Sequence, residues 1–234
     1  MRPFPSDALL RHAVGGDFEA MGAMQVAILE HYGLRSDSSL IDVGCGVGRL
    51  ASALAGRHAG PYLGTDTNAA FLRAARRAVT APNVRFERVR DVVIPAADAS
   101  ADVVCFFSVF THLLHEHSFS YLEEAKRVLA PRGRIVFSFL ELASPALWET
   151  FAATVQHARR RIPRTLNIFI ERPAIEAWAR HLGMRIVDLR DAAEPFAPLR
   201  APITFESGHV QQDLGYLGQS VAVLSAADEE GERP

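Results

Sequence analysis

Two stretches of this sequence combine residue types and spacings that suit chemistry. The first is Asp42-Val43-Gly44-Cys45-Gly46-Val47-Gly48-Arg49. Glycine at alternate positions removes the Cβ atoms where a strand would turn into a helix. A ligand can then approach the backbone, and the unpaired N–H groups of the helix start face a carboxylate or phosphate. The spacing is Gly-x-Gly-x-Gly, one residue short of the dinucleotide fingerprint, and an acid precedes it, so a pyrophosphate fits poorly. The second stretch is Thr111, His112, His115, Glu116 and His117. Imidazoles titrate near neutrality and can take a proton from a hydroxyl, which makes His112 a candidate general base, with Glu141 as another. The three histidines lack the i, i+4 pair of a zinc helix and no distant cysteine ligand accompanies them, so no metal is expected. A third feature, Arg159-Arg160-Arg161 with Arg164, reads either as a contact for an anionic or carrier-linked acceptor or as a solvated helix face.

The elements that must position these residues follow from the hydrophobic periodicity. Residues 18–32 place Met21, Met24, Ile28 and Leu29 at helical spacing, with Gly33 as a stop. From residue 40 onward short apolar runs alternate with amphipathic segments. Strands are expected over 40–43, 62–65, 84–89, 102–107 and 134–139, and helices over 49–57, 69–79 and 119–129. Strand–helix alternation with short glycine-bearing links implies right-handed crossovers and a mainly parallel sheet, doubly wound, with helices on both faces. Residues 141–170 break the rhythm and read as an insertion over the carboxyl edge of the sheet. A helix over 173–182 and strands over 184–189 and 220–224 complete a seven-stranded α/β domain. Residues 1–38 are expected to form an N-terminal cap, 39–225 the main domain, and 226–234 a disordered tail.

The chain has 234 residues, 49% hydrophobic and 22% charged, with a formal net charge of -2. That suits one globular domain and argues against a broad nucleic-acid footprint, which would be strongly basic. The two cysteines, Cys45 and Cys105, lie in apolar runs without ligand spacing, which suggests a reducing compartment. No apolar stretch approaches the roughly 18 residues of a membrane span, and no export signal is evident, so a cytoplasmic location is expected.

The run from Leu40 to Leu50 that holds the glycine loop resembles the first motif of the class I S-adenosylmethionine-dependent methyltransferases, and later segments match in order. Gly64-Thr65-Asp66 is similar to that family's second motif, which implies that Asp66, with Thr67 beside it, meets the ribose hydroxyls. A helix N-cap is the alternative role for Asp66 or Thr67. The segment from Phe86 to Asp91 followed by Ile94-Pro95 resembles the third motif, which implies Asp91 at the adenine amino group and the Val92 N–H at a ring nitrogen. The run through Phe106, Phe107 and Ser108 looks like the fourth strand and its exit, and Lys126 to Arg134 like the turn into the fifth strand. Val14-Gly15-Gly16-Asp17-Phe18 and the residues after it are similar to a segment that forms a lid helix over the methionine end in some bacterial members. The resemblance therefore implies S-adenosylmethionine as cofactor and S-adenosylhomocysteine as product. It implies a site drawn from Phe18, Asp42, Gly44, Cys45, Gly46, Arg49, Asp66, Thr67, Asp91, Val92 and Ser108.

A sulfonium is already electrophilic, so such an enzyme chiefly positions its reactants and excludes water. A base is needed only where the acceptor must lose a proton. The absence of a basic domain favours a small-molecule acceptor, whether an O-, N- or C-nucleophile, over nucleic acid. Two other functions stay open: a cofactor-binding module without transferase activity, and a nicotinamide oxidoreductase. Against the oxidoreductase stand the glycine spacing and the lack of a Tyr-x-x-x-Lys pair. Residues 141–170 and 191–218 are expected to shape the acceptor pocket.

Overall fold

A computed structural model describes residues 15–161 and 166–227. Helix α1 (Phe18–His31) starts where the Asp17 carboxylate caps the Ala20 N–H at 3.0 Å, and Gly33, with φ of 100°, lets the chain leave it. The parallel part of the sheet follows: β1 (Leu40–Val43), β2 (Tyr62–Asp66), β3 (Val84–Arg88), β4 (Ala101–Phe106) and β5 (Leu129–Phe139). Helices α2 (Arg49–Leu54), α3 (Ala69–Ala78) and α4 (His115–Val128) make the crossovers. Helix α5 (Trp148–Arg159) lies in the link after β5, and α6 (Arg172–His181) leads into β6 (Met184–Arg190). Four two-residue strands come next: β7 (Ala197–Pro198), β8 (Ile203–Thr204), β9 (Val210–Gln211) and β10 (Leu214–Gly215). The last strand is β11 (Ser220–Ala226).

The seven-stranded sheet has the order β3-β2-β1-β4-β5-β11-β6. All neighbouring pairs from β3 to β5 are parallel, whereas β11 runs antiparallel to both β5 and β6. Winding proceeds outward from β1 through α2 and α3, then restarts at β4 on the other side of β1. Two cores result, separated by the period-2 alternation of the strands. One joins Leu40, Val103, Cys105, Val136, Val221 and Val223 to Met24, Ile28, Leu50 and Leu72. The other joins Ile41, Val104, Ile135, Phe137, Ala222 and Leu224 to Leu122, Ala125, Ile175 and Ala179. The reversal of winding between β1 and β4 leaves a crevice at their carboxyl ends, where open α/β sheets bind ligands.

Several expected boundaries move. Helix α2 stops at Leu54, short of residue 57, because Ala55 turns extended and Gly56 is left-handed. Helix α4 begins four residues before 119, at His115; its first turn of His115, Glu116 and His117 faces solvent and carries no apolar periodicity. Leu129 belongs to β5 and pairs with Ala101, with a register shift before Val103 accommodating the Pro131 turn. Strand β11 runs through Ala226, the first residue of the expected tail; residues 228–234 lie outside the described chain, as do residues 1–14 of the expected cap.

The 141–170 region contains its own helix, α5, none of whose residues is fully buried. The strand that returns from it is fastened by Ile168 N–H to the Thr111 carbonyl at 2.8 Å and Ile170 N–H to the Leu140 carbonyl at 2.7 Å. Residues 191–218 form two small sheets, β7 with β10 and β8 with β9, packed on α1. Arg200 grips Glu30 through two nitrogens at 2.9 and 3.1 Å, and the Glu206 N–H reaches Asp17 at 2.6 Å.

Candidate functional site

A cavity of about 560 Å³ opens at the carboxyl ends of β1, β2 and β4. Its floor is the glycine loop. Gly44, Gly46 and Gly48 have φ of 74°, 56° and 84°, a region that L side chains rarely adopt. A Cβ on Gly44 would also stand 2.4 Å from Val109 Cγ2, so the loop and the exit of β4 touch only because Gly44 has no side chain. The loop is tied to β2 by the N–H groups of Gly44 and Cys45, which donate to the Thr65 carbonyl at 2.8 and 2.9 Å.

Asp66 holds the same loop from its other end. Its Oδ2 accepts the Gly46 N–H at 3.0 Å and its Oδ1 the Asn68 N–H at 2.7 Å. Burial raises its carboxyl above the usual range, and these backbone donors pull it back. The Thr67 N–H adds a third backbone donor, which leaves the carboxylate lone-pair capacity for a ligand hydroxyl. The cap of α3 is neither Asp66 nor Thr67 but Asn68, whose side chain accepts the Ala70 N–H at 2.9 Å.

Asp42 is buried in β1 beneath the loop. Tyr62 Oη donates to it at 2.5 Å and Cys105 Sγ at 3.7 Å. Burial pushes its pKa up to about 6 against those hydrogen bonds. Arg49, at the start of α2, is itself desolvated and its pKa lowered, with Asp42 and Asp17 supplying the opposing charge. Its guanidinium donates to the Gly15 carbonyl and lies 5.8 Å above the Phe18 ring. The thiols of Cys45 and Cys105 are pushed well above their ordinary range by burial; Cys45 lines the cavity, whereas Cys105 lies on Asp42 beneath it.

Beyond β4 the cavity is bounded by Ser108, Val109, His112 and Leu113. Ser108 is left-handed at φ of 58° although it carries a side chain. The Nδ1 of His112 lies 2.6 Å from the Leu166 carbonyl oxygen. A carbonyl has no proton to give, so Nδ1 carries the hydrogen and Nε2 is the basic nitrogen. His115 uses its Nε2 on the Phe169 carbonyl at 3.1 Å and stacks edge-on to Trp178. Among the described residues no group of three His, Cys, Asp or Glu is placed to hold a metal ion.

Of the residues singled out from sequence, Asp42, Gly44, Cys45, Gly46, Arg49, Asp66, Thr67, Ser108 and His112 line this one cavity. Phe18 stands behind its wall, packed with Val47, Phe71 and Ala74. Asp91 and Val92 lie outside the lining; the cavity at the end of β3 is bounded instead by Val89. Glu141 is not available as a base. It is buried and bound by Arg172 through two nitrogens at 2.9 and 3.0 Å, with the Ser220 hydroxyl at 2.6 Å. The described parts of 141–170 and all of 191–218 contribute no lining residue, because they pack on the return of β5 and on α1. Sequence reasoning missed Gln25, Phe71 and Tyr121, which do line it. Gln25 left a signal, a polar residue that is buried on the apolar face of α1. Tyr121 left none, since it sits at an ordinary apolar position of α4.

The strand order adds an independent discriminator. Dinucleotide-binding sheets are mostly parallel and follow 3-2-1-4-5-6, whereas here an additional, reversed strand lies between the fifth and sixth. The family described as a methyltransferase domain matches residues 41–137, which carry the glycine loop, Asp66, Ser108 and His112. Over those residues, less than half of its length, the chain is similar to that methyltransferase family. Among curated relatives, the phthiotriol/phenolphthiotriol dimycocerosates methyltransferase 1 of Mycobacterium ulcerans is 32% identical over 116 residues, 49% of this chain and 42% of that protein. The ubiquinone biosynthesis O-methyltransferase of Sodalis glossinidius is 27% identical over 164 residues, 68% of this chain and 64% of its own length. The chain thus spans less than two thirds of either relative. In fold, the chain resembles the magnesium protoporphyrin IX methyltransferase of Synechocystis, with a TM-score of 0.60 at 15% identity, covering 90% of this chain and 84% of that one. It also resembles a chain from the complex of the Haloferax volcanii Trm112 methyltransferase activator with its methyltransferase, with a TM-score of 0.65 at 17% identity, covering 96% and 97%.

Proposed function

We propose that this protein is a methyltransferase that moves the methyl group of S-adenosylmethionine to a hydroxyl oxygen of a small molecule, with His112 as general base. The observation that carries the reading is that His112 opens onto the same cavity as the glycine loop and Asp66, with its basic nitrogen set by the Leu166 carbonyl. Support for an oxygen acceptor also comes from the similarity to an O-methyltransferase of ubiquinone biosynthesis.

The cavity fits the cofactor. Its volume lies within the roughly 300–1,000 Å³ of small-molecule sites, and the loop glycines leave room for backbone contact. S-adenosylmethionine supplies the electrophilic methyl group. In this reading Asp66, with Thr67 beside it, takes the ribose hydroxyls on its free lone pairs, and Asp91 and Val92 close over the adenine edge from outside the present lining. Gly44, Cys45 and Gly46 present backbone to the cofactor. Arg49 and Phe18 bound the methionine end, and α1 covers it as a lid through Gln25. The desolvated walls of Phe107, Val109 and Leu113 exclude water from the acceptor side. His112 takes the hydroxyl proton at Nε2 while Nδ1 stays bonded to Leu166, which steadies the imidazolium that forms.

The test is transfer of labelled methyl from S-adenosylmethionine to a panel of phenols, alcohols and amines by the wild type and by His112→Gln. The expected result is methylation of a hydroxyl compound that falls roughly 10²-fold or more in the variant, with S-adenosylhomocysteine affinity retained. Methylation of an amine, or of a hydroxyl at an unchanged rate in His112→Gln, would overturn the role of the base.

A further inference from the structure

Three side chains converge on Ser108: Ser138 and Thr111 on its backbone, and Gln219 on its hydroxyl. Ser108, just past β4, is held left-handed at φ of 58°, an uncommon state for a residue with a side chain. Such a conformation persists only when its surroundings over-determine it. Here the Ser108 N–H donates to Ser138 Oγ at 2.7 Å, and its carbonyl accepts from Thr111 Oγ1 at 3.1 Å. The hydroxyls complete the set. Ser138 Oγ donates to Gln219 Oε1 at 2.7 Å and Ser108 Oγ to the same oxygen at 3.2 Å. Because Ser138 Oγ already accepts the Ser108 N–H, its single hydrogen goes to Gln219, so each of the three hydroxyls in the cluster has an acceptor for its hydrogen.

Gln219 can reach this point because β11 is reversed. An antiparallel strand between β5 and β6 begins at the edge where β4 and β5 end, so the residue before it meets their carboxyl termini. Ser108 is also the hinge of the segment that carries His112, and Thr111, bonded to the Ser108 carbonyl, is the neighbour of His112. We propose that Gln219 is a positioning residue for the methyl-transfer site: through Ser138 it locks Ser108 left-handed and so sets where the Ser108–His112 segment bounds the cavity. This rests on the reading of that cavity as the transfer site. Gln219 itself touches neither cofactor nor acceptor in this account.

The experiment compares Gln219→Leu, which keeps bulk and removes the oxygen, with Gln219→Glu, which keeps an oxygen that can take both hydroxyls. Three quantities are read: hydrogen exchange of the Ser108 amide, the ring resonances of His112, and S-adenosylhomocysteine affinity. In Gln219→Leu the Ser108 amide should exchange faster, the His112 resonances should shift, and affinity should fall roughly fivefold, as for one lost hydrogen bond. Gln219→Glu should restore all three towards wild type. A merely structural role would lower the melting temperature of Gln219→Leu and leave the His112 resonances in place, and that result overturns the proposal. So does Gln219→Glu behaving as Gln219→Leu. If Gln219→Leu does not fold, Ser138→Ala replaces it with the same expectations. Failure of the wild type to bind S-adenosylhomocysteine would sink the transfer-site reading, whereas the exchange and resonance data still judge the lock.

Discussion

At the scale of single residues, two carboxylates at the cavity, the half-buried Asp66 and the buried Asp42, do different work. Asp66 holds the glycine loop and the start of α3 through backbone N–H groups and also lines the cavity. Asp66→Ala should weaken S-adenosylhomocysteine binding by at least about 1.5 kcal/mol, the loss of two charge-assisted hydrogen bonds. Calorimetric titration checks it, and unchanged affinity in a folded variant removes the assignment. Asp42 instead carries a cost. Its pKa of about 6 in the fold exceeds the ordinary 3.8, so between those values the folded state binds more protons than the unfolded one. Stability therefore falls as pH rises from about 4 to 6 and stays lowered above that, by up to about 3 kcal/mol. Asp42→Asn removes this titration. The gap between variant and wild type in urea unfolding should move in favour of the variant between pH 4 and pH 7, and a gap independent of pH would contradict the buried-carboxylate account.

At the scale of elements, the junction of β1 with α2 and the exit of β4 are mutually dependent. Gly44 lies against Val109, so a methyl group there strains the left-handed backbone and collides with the neighbouring loop. Gly44→Ala should cost about 1–3 kcal/mol in stability and abolish detectable S-adenosylhomocysteine binding. A variant that binds normally would show that the loop is not the cofactor floor. A second junction joins the end of β5, the start of α6 and the start of β11 through Glu141, Arg172 and Ser220. The arginine is about a third exposed, at 38%, and the carboxylate is buried at 1%. Arg172→Met leaves that carboxylate without its cation and should destabilise by about 2–4 kcal/mol, towards the lower part of that range for the exposed partner. Denaturant unfolding reads it directly, and a loss below about 0.5 kcal/mol would show the pair to be incidental.

At the scale of the whole molecule, the doubly wound sheet produces one crevice, and the two cores on either side keep its walls rigid. A ligand that binds only the folded state adds stability according to its concentration, about 2.7 kcal/mol at a hundred times its dissociation constant. S-adenosylhomocysteine should therefore raise the melting temperature progressively with concentration, while NADH at the same concentrations leaves it unchanged. The reverse pattern would return the molecule to the oxidoreductase alternative. Among the described residues no helix is long and apolar enough to cross a membrane.

Much of this was legible in the sequence where local physics decides. The glycine loop was readable because only glycine tolerates three alternating left-handed positions, and the loop has all three. The alternation of strands and helices was readable because burial on two faces imposes its period on each segment, and Asp66 because it ends a strand beside that loop. Other features depend on partners far along the chain. The free nitrogen of His112 is decided by Leu166, the fate of Glu141 by Arg172 and Ser220, and the backbone of Ser108 by Gln219, which is 111 positions away. Residue types alone leave such choices open. A hydrogen bond or ion pair is worth something only once burial has removed water and the fold has brought its two ends within about 3 Å. The orientation of the last strand belongs with these, because its pairing with β5 and β6 is won by long-range packing and not by the propensity of its own seven residues.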